Sequence, residues 1–194
     1  MANTTTEAHV SQPLSAVNIC SNALNLLGEK SITSLTDGSV RANLCNAHFG
    51  AVRDEELQLL RPTFSRKFRT MVAGVAVPNH TWGLLYQLPS DYLTMFNVTP
   101  RRTEYQIVGD QIYTNETALY IEYVARTEDT TKWSPLFAQL IMYRVAERIA
   151  PVLKAEMREA MKALGDEAER KAWTSDSQSE STVIVDADDL LDVR

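Results

Sequence analysis

The sequence predicts an α+β protein in which a four-helix scaffold carries an inserted antiparallel β module and ends in an extended C-terminal tail. Three observations support this fold class. Apolar residues recur at helical spacing before residue 62 and after residue 134, β-branched and aromatic residues fill short runs over 63–126, and residues 175–194 are polar and acidic. At 194 residues and 44% hydrophobic, the chain is long enough for one main core.

The first part of the scaffold, residues 13–62, is predicted to hold two helices. Pro13 and Ser15 start the first helix and Gly28 ends it; the second begins near Ser39 and ends at Leu60, before Pro62. The apolar stripe of the first helix consists of Val17, Cys20, Leu24 and Leu27, widened by Ile19, Ala23 and Leu26. It covers about half the cylinder, more than the ~100° that a surface helix needs. Deep burial explains this width; a contact with another subunit through Ile19 and Leu26 is the alternative.

Residues 63–126 are predicted to form the β module. The segment Val108-Gly109-Asp110-Gln111 reads as a two-residue hairpin turn, because glycine tolerates positive φ there. A second turn at 114–117 leads into 118–124, where apolar and polar residues alternate. We expect these three strands to follow one another as a meander.

Two further helices, within residues 134–174, are predicted to complete the scaffold. Ser134 is a good N-cap, and Pro135 suits the first helical position. That helix is expected to run to Ala150, where Pro151 starts the last helix or kinks the chain into it. The last helix should dock through one apolar stripe, formed by Leu153, Met157, Ala160, Met161, Leu164 and Ala168.

The two ends of the chain have disorder-type composition. Residues 1–12 are polar and show no signal peptide, so we expect a disordered N-terminus and synthesis in the cytoplasm; no apolar run is long enough for a membrane span. Residues 175–194 contain six acidic side chains and one basic one, which is −5 of the total charge of −6. A nearly neutral body and an acidic tail are the opposite of the basic face that binds duplex DNA.

The acidic tail contains one β-prone run, which we interpret as part of a docking arm. Such a run can add as a strand to the sheet edge of a partner, while flanking aspartates select a basic surface. The predicted docking residues are Thr182, Val183, Ile184, Val185, Asp186, Asp188 and Asp189.

The residue types that could support catalysis do not form a recognised site. The densest acidic cluster of the body, Asp54-Glu55-Glu56, occupies consecutive helix positions that point in different directions, so we interpret it as solvated surface. Cys45 and His48 share a helix face, but no nucleophile motif surrounds them, and packing explains them better. Both cysteines, Cys20 and Cys45, are expected to be reduced core residues. His9, His48 and His80 lie in unrelated segments, so we expect neither a metal nor a cofactor.

Two groups of charged residues allow more than one interpretation. One basic group has aromatic neighbours, namely Arg61, Arg66, Lys67, Arg69, Arg101 and Arg102 with Phe64 and Phe68. Aromatic and cationic residues together can bind single strands or an acidic protein segment, although plain surface is the simpler interpretation. The second group, Arg144, Glu147 and Arg148, interrupts the apolar face of the third helix. These residues would lie at the wet end of a monomer, or pair with a neighbouring copy in a ring.

The order of these elements, with the wording at several junctions, resembles the tail tubular protein A or head-to-tail adaptor family of short-tailed phages. The resemblance covers residues 13–174. It depends on 14–18, 26–29 with 34–35, Tyr86-Gln87-Leu88-Pro89-Ser90-Asp91-Tyr92-Leu93, the hairpin 105–113 and the strand 120–123.

The resemblance implies a structural protein of the virion tail and no enzyme. It implies a homo-oligomer of twelve copies between the portal protein and the tail nozzle protein, with a central channel that DNA passes through without specific binding. It also implies that the C-terminal segment reaches toward the portal or a neighbouring subunit. Two alternatives remain open: a head-completion adaptor of a longer-tailed phage, and a tail-associated cell-wall hydrolase.

Overall fold

The computed structural model describes residues 14–72, 74–77 and 81–179, and their arrangement is the predicted α+β fold, with two small antiparallel sheets inserted between the second and third helices. The helices are α1 Ala16–Leu26, α2 Val40–Leu60, α3 Pro135–Leu153 and α4 Arg158–Ser179. The strands are β1 Arg66–Thr70, β2 Val75–Ala76, β3 Leu84–Gln87, β4 Tyr92–Thr99, β5 Tyr105–Val108, β6 Gln111–Thr114 and β7 Tyr120–Ala125.

Serine caps start the first three helices where the sequence predicts. Ser15, Ser39 and Ser134 each accept a hydrogen bond through Oγ from the backbone N–H three residues later, at 3.1–3.2 Å. Gly28 follows α1 with φ 74°, and Arg61 ends α2 with φ 51° just before Pro62. The predicted bounds of the first two helices are therefore confirmed.

The core of the scaffold is built around α3, which contacts α1, α2 and α4. Aromatic rings reinforce its first turn: Phe137 meets Trp133 edge-on at 5.2 Å between ring centroids and Phe64 at 5.1 Å. Phe49 of α2 stacks on Trp133 at 6.1 Å. Aromatic pairs of this kind contribute about 0.5–1.5 kcal/mol each beyond the burial of their area.

The break between the last two helices lies later than the sequence predicts. Pro151 is inside the final turn of α3, which continues to Leu153, and a 3-10 turn, Ala155–Met157, precedes α4. The chain tolerates this proline because only one helical N–H is lost near an end, and Lys154 N still donates to Ala150 O at 2.7 Å. The prediction of a helix start at Pro151 is wrong.

The apolar stripe of α4 differs in part from the predicted one. Met161 and Ala168 are buried as predicted, together with Gly165 and Ala172, whereas Ala160 and Leu164 are exposed. The predicted stripe was too wide because α4 touches its neighbours along a narrow line of small residues. That narrow line permits close packing on α3.

The predicted start of the tail at residue 175 is also wrong, because α4 continues to Ser179. Thr174 and Ser177 donate hydroxyl hydrogen bonds to the carbonyls four residues earlier, at 2.8 and 2.9 Å. Asp176 accepts hydrogen bonds from Thr63, which anchors this last turn to the body. Residues 180–194, with every predicted docking residue from Thr182 to Asp189, lie outside the described residues, as do residues 1–13.

The β module consists of two antiparallel sheets, ordered β1-β7-β4 and β2-β3-β6-β5. The predicted hairpin is confirmed: Val108 pairs with Gln111, and Gly109 has φ 62°. The predicted meander is wrong, because β7 does not pair with β6. The free side of β6 is taken by β3, and β7 lies between β1 and β4 in the other sheet.

The strand β7 connects the module to the scaffold. Its Val124 belongs to the helical core, whereas Ile121, Tyr123 and Ala125 belong to a second core inside the module. The alternation predicted for this strand is confirmed, with Tyr120 exposed between buried neighbours. None of the helices in the described ranges is long and apolar enough to cross a membrane.

Candidate functional site

The first candidate site is an exposed aromatic area on the outer part of the β1-β7-β4 sheet. Phe68 is 81% exposed and Tyr120 is 50% exposed, and their strands are directly paired, with Thr70 opposite Tyr120. Phe96 on β4 is also exposed. We call Phe68, Phe96 and Tyr120 the sheet patch. Phe68 and Tyr120 line one shallow pocket. Exposed aromatic groups on one sheet are typical of protein contact sites.

Basic side chains flank the sheet patch, and several already have partners. The Arg66 guanidinium lies 3.8 Å from the centroid of the Phe96 ring, and its Nε donates to Arg61 O at 3.0 Å. Lys67 Nζ lies 2.6 Å from Asp91 Oδ2. Burial alone would raise the pKa of Asp91, but hydrogen bonds from Lys67 and the Tyr123 hydroxyl outweigh it and lower that pKa.

The predicted basic cluster is therefore only partly assembled. Phe64 does not join it, because its ring packs on Phe137 in the helical core. Arg101 and Arg102 lie in the exposed turn between β4 and β5. Phe68 is left as the exposed ring of the predicted pair, which favours a protein contact over base stacking, since stacking platforms use successive rings.

A groove of about 970 Å³ separates the edge strand β1 from the second sheet. It is lined by Arg69, Met71 and Val72 on one side and by Leu85 and Tyr86 on the other. Val72 is 83% exposed, more than any other large apolar residue of the described ranges. The C-terminal end of β1 therefore borders an open, partly apolar groove.

The second candidate site is a charged cluster that joins three helices. Arg144 of α3 meets four carboxylates: Nε lies 3.0 Å from Glu56 Oε1, Nη1 lies 3.2 Å from Glu147 and 2.9 Å from Asp166, and Nη2 bonds Glu169. Glu56 comes from α2, and Asp166 and Glu169 come from α4. We call these five residues the Arg144 cluster.

Gly165 is the reason that α4 can approach Arg144 so closely. A Cβ atom at this position would lie 3.0 Å from Nη1 and 3.3 Å from Cδ of Arg144. A larger residue would have to displace the guanidinium from its carboxylates. The small residue and the ion pairs therefore depend on each other.

Glu56 has the most perturbed acidity of the Arg144 cluster. It is 4% exposed, and this burial, supported by the nearby charge of Glu169, raises its pKa to about 7 against the opposing attraction of Arg144. Its Oε2 is buried and has no hydrogen-bond partner within the described residues. Burial alone would lower the pKa of Arg144, but its bonds to Asp166 and Glu147 and the charge of Glu56 raise it above its usual range.

The interpretation of Asp54-Glu55-Glu56 as solvated surface is wrong. The three side chains do point in different directions, but Asp54 bonds Arg53 at 2.8 Å and Arg126 at 2.9 Å, and Glu56 is buried. Glu55 alone is exposed, with Arg148 at 2.6 Å. The arginines that pair with Asp54 and Glu56 across helices and strands are too distant in sequence to be recognised from it. The one feature of the sequence that indicates buried ion pairs is the position of Arg144 and Glu147 on the apolar face of α3.

The residues predicted at a subunit interface have partners inside the chain. Ile19 is buried in the helical core, and Leu26 is half-buried against the same core. Deep burial, the first of the two explanations of the wide α1 stripe, therefore accounts for Ile19. Arg144, Glu147 and Arg148 form ion pairs within the scaffold.

Cys20 and Cys45 are core residues, as predicted. Both are fully buried and free of a disulfide. The hydrogen bond between the two thiols, with burial, raises the pKa of Cys20. Over the ranges that the structure describes, no three His, Cys, Asp or Glu side chains are grouped to hold a metal ion.

Comparison with known proteins finds no family model that matches this chain and no curated protein that is significantly similar to it.

Proposed function

We propose that the protein is a structural ring subunit that connects the portal of a phage head to its tail. The observation that carries this proposal is the sheet patch. Each of the three strands of one sheet exposes an aromatic side chain, and Phe68 and Tyr120 border the same shallow pocket beside Arg69. Such a surface is suited to a neighbouring copy, the portal protein or the nozzle protein.

The architecture supports the same proposal. A β module inserted between two pairs of helices is the arrangement that the resemblance to head-to-tail adaptors implies, and this chain has it. A helical scaffold that carries separate β sheets suits a repeated subunit. The scaffold keeps each copy identical, and the sheet supplies the contact between copies.

The charge distribution suits a channel through which DNA passes without specific binding. Residues 1–174 carry a net charge of only −1. Several basic side chains of the body, among them Lys67, Arg126 and Arg148, are already paired with carboxylates. A channel wall whose basic side chains are already paired neutralises few DNA phosphates, so it would retain DNA weakly.

A cell-wall hydrolase is the alternative that one observation favours, since a glutamate with a pKa of about 7 is what a general acid needs. The geometry of Glu56 favours a structural role instead. Arg144 binds its Oε1, and its Oε2 is buried, so a glycosidic oxygen could not reach either atom. An adaptor of a longer-tailed phage would share every feature described for a connector.

Imaging of purified particles tests the proposal. The protein, alone and mixed with portal, is examined for rings, and cell walls are incubated with it in a turbidity assay. We expect closed rings that bind portal and no clearing of the cell walls. A protein that stays monomeric with portal, or clears the walls, would contradict the proposal.

A further inference from the structure

A groove of about 590 Å³ is lined by residues of α2, α3 and α4. Both α2 and α4 pack on α3, so α3 forms the floor, and the ion pairs of the Arg144 cluster bridge the two outer helices. Leu59 comes from α2 and Arg148 from α3, whereas Arg158 and Lys162 come from the start of α4. We call this feature the α2–α4 groove.

The charges that line the α2–α4 groove do not balance locally. Its carboxylates already have cations, since Glu55 pairs with Arg148 at 2.6 Å and the other three belong to the Arg144 cluster. Arg158 and Lys162 are exposed, and neither has an ion-pair partner within the described residues. They are four positions apart, so they lie on one face of α4. The unpaired charge of the groove is therefore positive.

Apolar side chains border the same groove. Leu59, in the last turn of α2, is 64% exposed, and Pro151, near the end of α3, is exposed as well. An exposed leucine in a groove with unpaired cations suits a ligand that carries both carboxylates and an apolar side chain. The groove therefore has the chemistry of a contact site for a peptide segment.

The same lining disfavours a nucleic acid. A nucleic-acid strand carries a negative charge at every nucleotide. Glu55 and Asp166 are exposed in the groove, so their carboxylates would repel a continuous row of phosphates. A peptide can instead place its carboxylates only where Arg158 and Lys162 lie, and its uncharged residues elsewhere.

We propose that the α2–α4 groove is a docking site for an acidic, partly apolar segment of another protein. Two carboxylates of that segment pair with Arg158 and Lys162, which are about 6 Å apart along the helix axis. An apolar side chain of the segment packs on Leu59 and Pro151. The inference does not depend on the proposed connector function, and it adds a contact surface on the scaffold that is separate from the sheet patch.

Fluorescence anisotropy with the full chain tests the proposal. The probes are short labelled synthetic peptides that carry one leucine and two glutamates at varied spacing, each with a matched peptide in which glutamines replace the glutamates. The test variants are Arg158→Glu and Lys162→Glu. The matched control is Arg170→Glu, which changes an exposed cation of the same helix ~12 Å from Lys162 and outside the groove. All three variants should melt within about 2 °C of the wild type, because the residues are exposed.

We expect at least one glutamate peptide to bind the wild type and Arg170→Glu with similar affinity, and to bind Arg158→Glu and Lys162→Glu at least tenfold more weakly. Its glutamine counterpart should also bind the wild type at least tenfold more weakly.

Four outcomes would overturn the proposal. The first is that no glutamate peptide binds at about 1 mM, and the second is that Arg170→Glu weakens binding as much as Lys162→Glu does. The third is that a single-stranded oligonucleotide binds more tightly than every peptide and loses its binding in Lys162→Glu, which would assign the groove to nucleic acid. The fourth is a dimer of the wild-type chain in analytical ultracentrifugation that Lys162→Glu abolishes, which would assign the groove to a second copy.

Discussion

The helical scaffold and the β module differ in the size of their cores and in the apolar residues that they expose; the scaffold exposes Leu59, Val152 and Trp173 on its helices. The scaffold buries most of its large apolar residues around α3 and surrounds Arg144 with four carboxylates. The module has its own small core, yet it exposes Phe68, Val72 and Tyr120. The proposed function assigns stability to the scaffold and contacts with other proteins to the module.

The largest effect is expected from breaking the Arg144 cluster. Arg144→Met leaves Glu56 and Glu169 without their cation, so the free energy of unfolding should fall by about 3–5 kcal/mol in urea titrations. The matched control is Arg148→Met, whose exposed pair with Glu55 should cost less than ~1 kcal/mol. Similar losses for both variants would mean that the cluster does not hold the scaffold together.

The pH dependence of stability should report on Glu56. Its pKa of about 7 in the folded state lies above the ordinary value of 4.5, so its stabilising contribution is complete below that value and is lost as the pH rises through 7. Glu56→Gln cannot ionise. From pH 5 to pH 8 the variant should therefore gain stability relative to the wild type, by up to about 3 kcal/mol. A difference that is constant with pH would show that Glu56 titrates normally.

A charge in the sheet patch should impair assembly and leave the fold intact. Phe68→Asp should weaken ring formation or portal binding at least tenfold, since central aromatic contacts often contribute 2 kcal/mol or more. Its melting temperature should stay within about 2 °C of the wild type, because Phe68 is 81% exposed. Val40→Asp, at a site on the scaffold that is 68% exposed, should assemble normally. Equal impairment by both would assign the effect to charge alone.

The smallest effect is expected at the anchor of α4. Asp176→Asn should lower stability by about 1 kcal/mol, because the amide replaces a charged acceptor for Thr63 N. Thr63→Val removes one of the donors, Oγ1, and should cost a similar amount. If the double variant costs the sum of the two, the residues do not interact and the anchor has no role.

The sequence predicts helices, strands and turns better than it predicts which strands pair and which side chains meet. Helix starts at Ser15, Ser39 and Ser134 and the turn at Gly109 follow from local chemistry, so they are predicted well. The separation of β6 from β7 into two sheets depends on distant strand pairing, which no local pattern contains. The same limit applies to Glu56, whose interpretation as surface is reversed by an arginine 88 residues away.

Hydrogen exchange of the free protein and of its complex with portal tests the division between scaffold and module most directly. We predict that assembly slows exchange in β1 and at the start of β7, around Phe68 and Tyr120, while the buried face of α3 exchanges at the same slow rate in both states. Protection confined to the outer faces of α1 and α4, with none in the module, would contradict the account.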